Sequence, residues 1–415
     1  KVKESASWTG TANVGNHDSL SMGAGSVAGS QGGWGSSTTA ITTIAHGSGY
    51  SLIVKSDGSL WASGSNGYGQ LGNGASGADV VNPQQIVASG VTAVAAGSAH
   101  SLFLKNDGSL WGMGSDSSGQ LGNGPGSTAN VVTPQQIVAS GVTAIGTASG
   151  NSYFIKSDGS LWGMGKDNDG QMGNGAAGGD VDTPQQIVAS GVTAVSSSQG
   201  GDHVLFLKSD GSLWGMGEDT HGTMGNGPGS NADVVSPQQI VASGVTAIAA
   251  GKNHNMFLKS DGSLWLFGSD GDGEIGNGPG SSADVVTPQQ IVASGVTKIA
   301  AGLNISYFIK ADGSLWGMGD DARGMQGNGW PGNADVVSPT QIIASGVTDV
   351  FAGNQHCFFT KSDGSLWGIG NNQYGQLGDG TTTSAHDPVQ IQTASASARL
   401  DDFVFYNTAL TQAQI

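Results

Sequence analysis

The stretch HSLFLKNDGSLWGMG, from His100 to Gly114, decides the fold. It contains two apolar runs of strand length joined by Asp107-Gly108, a dipeptide typical of tight hairpin turns because both positions accept a positive φ. Its centre, DGSLW, occurs seven times, and successive copies start 50 to 52 residues apart. Repeats of this length are typical of propellers and solenoids. The copies begin at Asp57, Asp107, Asp158, Asp210, Asp261, Asp312 and Asp363.

Two further short apolar runs accompany each hairpin. VTAVAA, residues 91–96, precedes the hairpin of the second unit, and PQQIV, residues 134–138, follows it after a Gly-rich stretch. Pro at the entrance of a strand is tolerated because no ladder donor is needed there. The pattern therefore predicts an all-β chain, a seven-bladed β-propeller built from four-stranded repeats of about 51 residues.

The first and last units favour a closed ring over an open solenoid. Solenoids need terminal caps with a polar outer face, yet SLWASGSNGYGQLGNG (59–74) and SLWGIGNNQYGQLGDG (365–380) keep the same core residues as the middle units. We therefore predict three parts. These are a Gly/Ser-rich N-terminal segment over residues 1–40, the propeller over 41–392 and a C-terminal strand segment over 393–415.

Composition excludes several classes of function. The 415 residues include 31 acidic and 14 basic side chains, a net charge of −17, which argues against nucleic acid or an anionic membrane as the partner. No apolar run approaches the ~18 residues that a membrane span requires. A single cysteine, Cys357, excludes an internal disulfide framework and a multi-cysteine metal site. We predict no cofactor.

The repeat resembles a known family. The pattern G-x-x-H-S-L-x-L, D-G-x-L-W-x-x-G, G-Q-L-G-x-G is similar to the repeats of the regulator-of-chromosome-condensation family, and the resemblance covers all seven units. It implies a seven-bladed propeller. It implies no single function, because members include nuclear exchange factors, photoreceptors, ubiquitin-ligase modules and secreted bacterial inhibitors. In the second unit it is carried by His100, Ser101, Asp107, Gly108, Trp111, Gly114, Gly119, Gln120, Leu121 and Gly122.

Residues that recur in every unit are interpreted as structural. The Trp of DGSLW should be buried between neighbouring blades together with the residue two positions on, such as Trp111 with Met113. The Lys before each turn, such as Lys105, favours a solvated hairpin end, the alternative being an anion-binding ring. His recurs in four units, but Ile305 replaces it in another, which disfavours a metal ligand. Nothing in the pattern supports catalysis.

The segment before GQLGNG varies most between units. Equivalent loops share one face of a propeller, so these segments predict an acidic, solvated surface. Asp270-Gly-Asp272-Gly-Glu274 hints at calcium but lacks the spacing and distal Glu of an EF-hand loop, so these are weak candidates. The acidic residues of this surface are Asp167, Asp169, Glu218, Asp219, Asp270, Asp272, Glu274, Asp320 and Asp321.

Four residues of these loops are candidate binding contacts. The sixth unit carries Arg323, and Trp330 where other units have Pro. Arg and Trp are enriched at interface hot spots. The first and last units share Tyr68 and Tyr374 at one loop position. We predict a contact site at these residues.

The two ends do not follow the repeat. RLDDFVFYNTALTQAQI, residues 399–415, resembles the closing strand of laminin-G-like and concanavalin-like domains, with Phe403 and Phe405 on one side. Val404 and Tyr406 fall on the other side. An unpaired strand must find a partner, and Trp8 and Trp34 of the N-terminal segment, in the same or another chain, are candidates.

These observations favour a non-enzymatic, secreted or cell-surface bacterial propeller that acts as a structural scaffold. Its partner would be another copy, assembled into filaments, or another extracellular protein or glycan. The alternative is a protein- or glycan-binding module that uses the acidic loop face, like the secreted inhibitors of the family. An exchange factor for a nuclear GTPase is disfavoured, because a sequence pI near 4.5 provides no basic patch for chromatin.

Overall fold

The computed structural model describes residues 39–125, 129–197, 200–228, 232–279, 283–329 and 334–392. These residues contain 28 strands in seven four-stranded antiparallel sheets, each built from four consecutive strands. The prediction of a seven-bladed β-propeller is therefore confirmed. In the described part of the chain, no helix is long and apolar enough to cross a bilayer.

The first strands of the blades line the central axis. They are β1 Ile41–His46, β5 Val91–Ala96, β9 Val142–Thr147, β13 Val192–Ser197, β17 Val245–Ala250, β21 Val296–Ala301 and β25 Val347–Ala352. The second strands follow outward. They are β2 Tyr50–Lys55, β6 His100–Lys105, β10 Asn151–Lys156, β14 His203–Lys208, β18 His254–Lys259, β22 Ile305–Lys310 and β26 His356–Lys361.

The third strands carry the Trp of the repeat. They are β3 Leu60–Gly64, β7 Leu110–Gly114, β11 Leu161–Gly165, β15 Leu213–Gly217, β19 Leu264–Gly268, β23 Leu315–Gly319 and β27 Leu366–Gly370. The fourth strands form the perimeter. They are β4 Val80–Val87, β8 Val131–Val138, β12 Val181–Val188, β16 Val234–Val241, β20 Val285–Val292, β24 Val336–Ile343 and β28 Ala385–Gln392.

The Asp-Gly turn fixes the hairpin between the second and third strands. Asp107 Oδ1 accepts the Ser109 main-chain N–H at 2.9 Å, which holds the turn from its own side chain. Gly108 has φ of 76°, and a Cβ there would lie 2.8 Å from the backbone nitrogen of Gly141. Only glycine fits this position without strain. The turn sets a register in which Phe103 faces Trp111.

Apolar side chains of adjacent blades form the core. Met113 of blade 2 is fully buried and packs in one cluster with Tyr50, Leu52 and Val54 of blade 1. Trp111 lies at the edge of the same cluster and is only partly buried. The residue two positions after each Trp is therefore buried between blades as predicted, and the Trp itself packs against the same core but is only partly buried.

The repeated Lys contacts the indole ring of the repeated Trp. In all seven blades its Nζ lies over the indole ring, between 3.9 and 5.0 Å from the ring centroid. This is a cation–π contact, so the prediction of a merely solvated Lys is wrong. The sequence contained the signal. Lys105 is two residues after Phe103, and Phe103 faces Trp111, so all three share one sheet face.

A hydrogen bond joins neighbouring blades at each of five seams. A side chain near the start of the second strand donates to a backbone carbonyl in the GQLG loop of the preceding blade, at 2.6–2.9 Å. We call this bond the seam bond. The pairs are Ser101 to Gln70, Ser152 to Gln120, Asn255 to Thr223, Ser306 to Glu274 and Ser51 to Gln376. The last pair joins blade 7 to blade 1 and so closes the ring.

The other two seams use a different donor for the same carbonyl. Val204 and Cys357 stand where the other blades have Ser or Asn. There the carbonyl accepts from a Tyr of its own blade: Tyr153 Oη donates to Gln171 O at 3.0 Å, and Tyr307 Oη donates to Met325 O at 2.6 Å. Burial raises the pKa of both phenols, so they stay protonated donors.

Three of the recurring His residues support the same seams. Nε2 of His100 lies 3.1 Å from Ser152 Oγ, and Nε2 of His356 lies 3.0 Å from Ser51 Oγ. His203 contacts the corresponding Asn255 at 2.8 Å. Burial lowers the pKa of His100 to about 4 and that of His356 to about 3, so both rings are neutral at pH 7. These His residues have the structural role predicted for them.

The substituted seams generate a rescue prediction. Tyr153→Phe leaves the Gln171 carbonyl without its donor and should lower the free energy of unfolding by about 1–3 kcal/mol. Adding Val204→Ser restores the hydroxyl that other seams use, so the double variant should recover much of the loss in denaturant melts. Additive effects of the two substitutions would contradict this account of the seam.

Candidate functional site: the loop face

The ring has two different faces. We call the end with the Asp-Gly turns between second and third strands the hairpin face. The opposite end is the loop face, where the first strand meets the second and the GQLG loops connect the third to the fourth. Sequence differences between units concentrate on the loop face, while the hairpin face repeats KSDGS with few changes.

Nearly all of the net charge lies on the loop face. It carries nineteen acidic and three basic residues, or −16 of the chain's −17, whereas the hairpin face carries eight of each sign. The three cations are Lys166, Lys252 and Arg323. The acidic residues are Asp79, Asp116, Asp167, Asp169, Asp180, Asp182, Asp202, Glu218, Asp219, Asp233, Asp270, Asp272, Glu274, Asp284, Asp320, Asp321, Asp335, Asp379 and Asp387.

Some of these carboxylates are structural rather than solvated. Oδ1 of Asp167 accepts the Met172 N–H at 2.9 Å, and Oδ2 accepts from the Asn174 amide at 2.7 Å. We call this pair of bonds the Asp clasp; it recurs at Asp116, Asp219 and Asp321, and Asn66 and Asn372 replace the Asp in the first and last blades. For these buried residues the prediction of a solvated surface is wrong. They are Asp167, Asp219, Asp270, Glu274 and Asp321, and Asp116 of blade 2 is buried in the same way.

The weak calcium candidates each bind a donor of the protein. Asp270 Oδ1 accepts the Ile275 N–H at 3.1 Å, and Asp272 Oδ2 accepts from the Asn304 amide at 2.7 Å. Glu274 Oε2 accepts the Asp272 N–H at 2.9 Å. Among the residues that the structure describes, no group of three or more His, Cys, Asp or Glu side chains could hold a metal ion.

Glu274 occupies a position at which most blades have Gln. Oε1 of Gln120, its counterpart in blade 2, accepts the Ser118 N–H at 2.8 Å, the same bond that Glu274 makes to Asp272. Glu274 is almost completely buried, and burial raises the pKa of this carboxyl to about 7. Its ionised form is therefore disfavoured in the folded ring.

Glu274→Gln should stabilise the ring increasingly as the pH rises above about 4.5, with the full gain above about pH 7. The folded pKa lies above the unfolded value, so the wild type loses stability as pH rises from about 4.5 to 7 and stays lower above it. The variant should gain on the order of 2–3 kcal/mol at pH 8 and little at pH 4.5. Chemical denaturation at both pH values measures this. Gln120→Glu should have the reverse effect, lowering the free energy of unfolding at pH 8 and changing it little at pH 4.5. Equal gains for Glu274→Gln at both pH values would exclude titration as the cause.

The residue just before the first glycine of each G-Q-L-G stretch, which we call the tip of the loop, differs between blades in both chemistry and exposure. Tyr68 of blade 1 is 52% exposed and Tyr374 of blade 7 is 42% exposed. Arg323 of blade 6 is exposed and has no hydrogen-bond or ion-pair partner among the described residues. The tips of blades 2 to 5 carry Ser118, Asp169, His221 and Asp272.

The ring brings three of these tips onto consecutive blades. Closure makes blade 7 the neighbour of blade 1, and the Tyr374 ring lies beside Gly49 of blade 1, where a Cβ would be 2.8 Å from its Cδ2. Arg323, Tyr374 and Tyr68 thus follow one another around the loop face, and we call them the Arg–Tyr–Tyr arc. Sequence reasoning named all three residues but missed that closure makes them adjacent.

Tips opposite the arc are paired with neighbouring residues. Lys166 Nζ lies 2.8 Å from Asp202 and 3.4 Å from Asp169. His221 lies 3.1 Å from Asp284 of the next blade. These contacts fix the tips of blades 3 and 4, whereas the side chains of the arc are exposed.

Several predicted residues lie outside the described part of the chain. Trp330 is one, and the assembly candidates Trp8, Trp34, Phe403, Val404, Phe405 and Tyr406 are the others. Their roles stay predictions, as do the terminal segments 1–40 and 393–415. The described strands run from Ile41 to Gln392.

The repeat, the seven closed blades and the variable loop face define a β-propeller whose differences between units are on one surface. The RCC1-like domain profile matches residues 14–293, and profiles of the regulator of chromosome condensation (RCC1) repeat match 347–376 and 363–401. The chain belongs to the RCC1-like domain family.

Relatives share the fold at modest identity. The chain is 26% identical over 282 residues to the ultraviolet-B receptor UVR8 of Arabidopsis thaliana, covering 65% of this chain and 63% of the receptor. The structure of human WBSCR16 superposes with a TM-score of 0.67 at 24% identity over 77% of this chain and 86% of that one. Prp20p of Saccharomyces cerevisiae gives 0.70 at 19% identity over 87% and 89%.

Proposed function

We propose that this propeller is a non-enzymatic protein-binding module whose loop face takes a basic segment of its partner at the Arg–Tyr–Tyr arc. One observation carries the proposal: the loop face holds −16 of the net charge, and two exposed Tyr side chains lie on consecutive blades within it. Of the two functions that the sequence suggested, this arrangement favours the binding module.

Each part of the surface has a physical role in such binding. The carboxylates steer a cationic segment to the loop face and exclude acidic competitors. The Tyr68 and Tyr374 rings offer flat faces for Lys or Arg side chains, a cation–π contact worth about 0.5–1 kcal/mol at exposed sites. Arg323 can pair with a carboxylate of the partner and so fix the register.

The fold is compatible with this role. Prp20p, which shares the fold, is described as binding Gsp1p and histones. The loops of the blades can vary in sequence without disturbing the ring, because the seam bonds and Asp clasps fix the backbone of each loop. A contact function therefore needs changes only at the tips.

Binding can be measured with a fluorescein-labelled 15-residue peptide of alternating Arg, Lys and Gly and an acidic peptide of equal length. The basic peptide should bind, and raising the salt should weaken it. Tyr68→Ala with Tyr374→Ala should reduce its affinity at least tenfold, because exposed aromatic residues act as hot spots. The melting temperature should stay unchanged, since both rings are exposed.

Charge variants on the two faces provide the control. Asp79→Asn with Asp387→Asn removes loop-face charge, while Asp312→Asn with Asp363→Asn removes the same charge from the hairpin face. Only the first pair should weaken binding. Equal losses would indicate unspecific attraction, and preferential binding of the acidic peptide would overturn the proposal. Salt-independent binding of a neutral oligosaccharide would favour a glycan instead.

The second candidate function is the self-assembling extracellular scaffold. All seven described sheets are complete with strands between Ile41 and Gln392, so the blades need no strand from residues 399–415. That observation favours a separate role for the tail, such as pairing with another copy. Location outside the cell stays part of this proposal.

Deletion of residues 399–415 tests the scaffold directly. The propeller should melt at nearly the same temperature, because its sheets are complete without the tail. High-mass species in light scattering should disappear. Unchanged assembly after the deletion, or a full-length protein that stays monomeric at high concentration, would exclude the scaffold and leave the binding module.

A further inference from the structure

The loop of blade 6 lacks a bond that holds the tips of five other blades. In those blades a Gln or Glu side chain accepts the main-chain N–H of the tip residue at 2.8–3.0 Å, as Gln376 does for Tyr374. We call this bond the tip bond. Blade 6 has Met325 at the position of Gln376, and a thioether is only a weak acceptor. The Arg323 N–H therefore has no carboxamide or carboxylate oxygen at that position.

Blade 6 does have a Gln in this loop, but it stands one residue after the position of Gln376 in blade 7. Gln326 stands where blades 2 and 7 have Leu121 and Leu377, and it is 3% exposed. Neither Oε1 nor Nε2 of Gln326 has a hydrogen-bond partner among the residues that the structure describes. Blade 6 thus reads Met-Gln where most units read Gln-Leu or Gln-Met.

The surroundings of the Gln326 amide are apolar. Oε1 lies against Gly317, where a Cβ would be 2.4 Å away, and the Ile342 side chain and the Tyr307 ring approach the same glycine. In blade 2 the equivalent Gly112 faces the methyl groups of Leu121. An amide buried without a partner destabilises the state that buries it. The closed loop of blade 6 is therefore weaker than its counterparts.

Several hydrogen bonds still hold this loop closed. Asp321 Oδ1 accepts the Gln326 N–H at 3.1 Å, and Tyr307 donates to the Met325 carbonyl at 2.6 Å. The Gly324 and Gly327 N–H groups donate to main-chain carbonyls of the same loop. These bonds also limit how far the segment can move. An open state would exchange them for water and would solvate the Gln326 amide, which offers two donors and an acceptor.

We propose that the tip of blade 6, residues 321–326, is the movable docking element of the loop face. It opens so that the Gln326 amide and the Arg323 N–H reach the backbone of a basic partner peptide. This proposal rests on the proposed protein-binding function and adds which blade engages the partner and how. The Met-Gln order trades stability of the closed loop for this contact.

Hydrogen exchange on the full chain tests the opening without any partner. The amides of Gly324, Gln326 and Gly327 donate to the same positions in blade 6 as those of Gly375, Leu377 and Gly378 do in blade 7. Blade 6 amides should exchange roughly tenfold or more faster than their counterparts. Met325→Gln with Gln326→Leu restores the common order, and it should slow exchange to the blade 7 level and raise the melting temperature.

The single variants separate the two defects. Gln326→Leu removes only the buried amide, and Met325→Gln restores only the tip bond to Arg323. Equal protection of the two loops in the wild type, or a double variant that neither melts higher nor exchanges more slowly, would overturn the proposed opening.

The labelled basic peptide then separates this proposal from the proposed function. Weaker binding to the double variant than to the wild type supports the docking role, and equal binding overturns it while the binding module stands. If the loop opens but no peptide binds, the proposed function fails, and the docking role fails with it.

Discussion

A buried carbonyl at every seam between blades is the constraint on which the ring depends. It belongs to the second residue of the G-Q-L-G stretch, or to its counterpart in blades 4 to 6, and it lies buried at the contact with the next blade. A side chain must donate to it, because an unpaired buried carbonyl would cost about as much as a lost hydrogen bond. Ser101 meets this need for blade 1, and Ser51 meets it for blade 7. The bond that links ordinary neighbours is therefore the bond that closes the ring.

This constraint explains why substitutions between units occur in groups. Where the next blade supplies Val204 or Cys357 and thus no hydroxyl, the blade's own second strand supplies Tyr153 or Tyr307. Each Tyr is two residues after a position that four other blades fill with His, and there too the residue differs, being Asn151 or Ile305. The residue that donates therefore differs between seams, but the buried carbonyl keeps a hydrogen-bond donor at each of them.

The sequence predicted the fold fully and the site in part. Spacing and hairpin chemistry determine strands, blades and the shared face of Trp111 and Met113, because alternation in a strand has a fixed period. The sequence pattern does not show which carboxylates point inward. Asp167 and Asp270 were therefore assigned to the surface, although both accept hydrogen bonds from the main chain of their own loops. Nor does the pattern show which loops become neighbours when the ring closes. For that reason Tyr68 and Tyr374 were grouped because they occupy the same position in their units, and Arg323 was considered separately.

The internal bonds of the loops decide where a partner can be recognised. Seam bond, Asp clasp and tip bond hold the backbone of a loop, so its tip side chain is free to change without cost to the ring. Blade 6 departs from this arrangement twice, since Tyr307 supplies its seam donor and Met325 removes its tip bond. Both departures lie in the loop that carries Arg323, beside Tyr374 in the next blade. This loop is weakly held from within, and its Arg323 has no ion-pair partner among the described residues of an acidic face. Binding energy from a partner can therefore replace the contacts that the loop lacks.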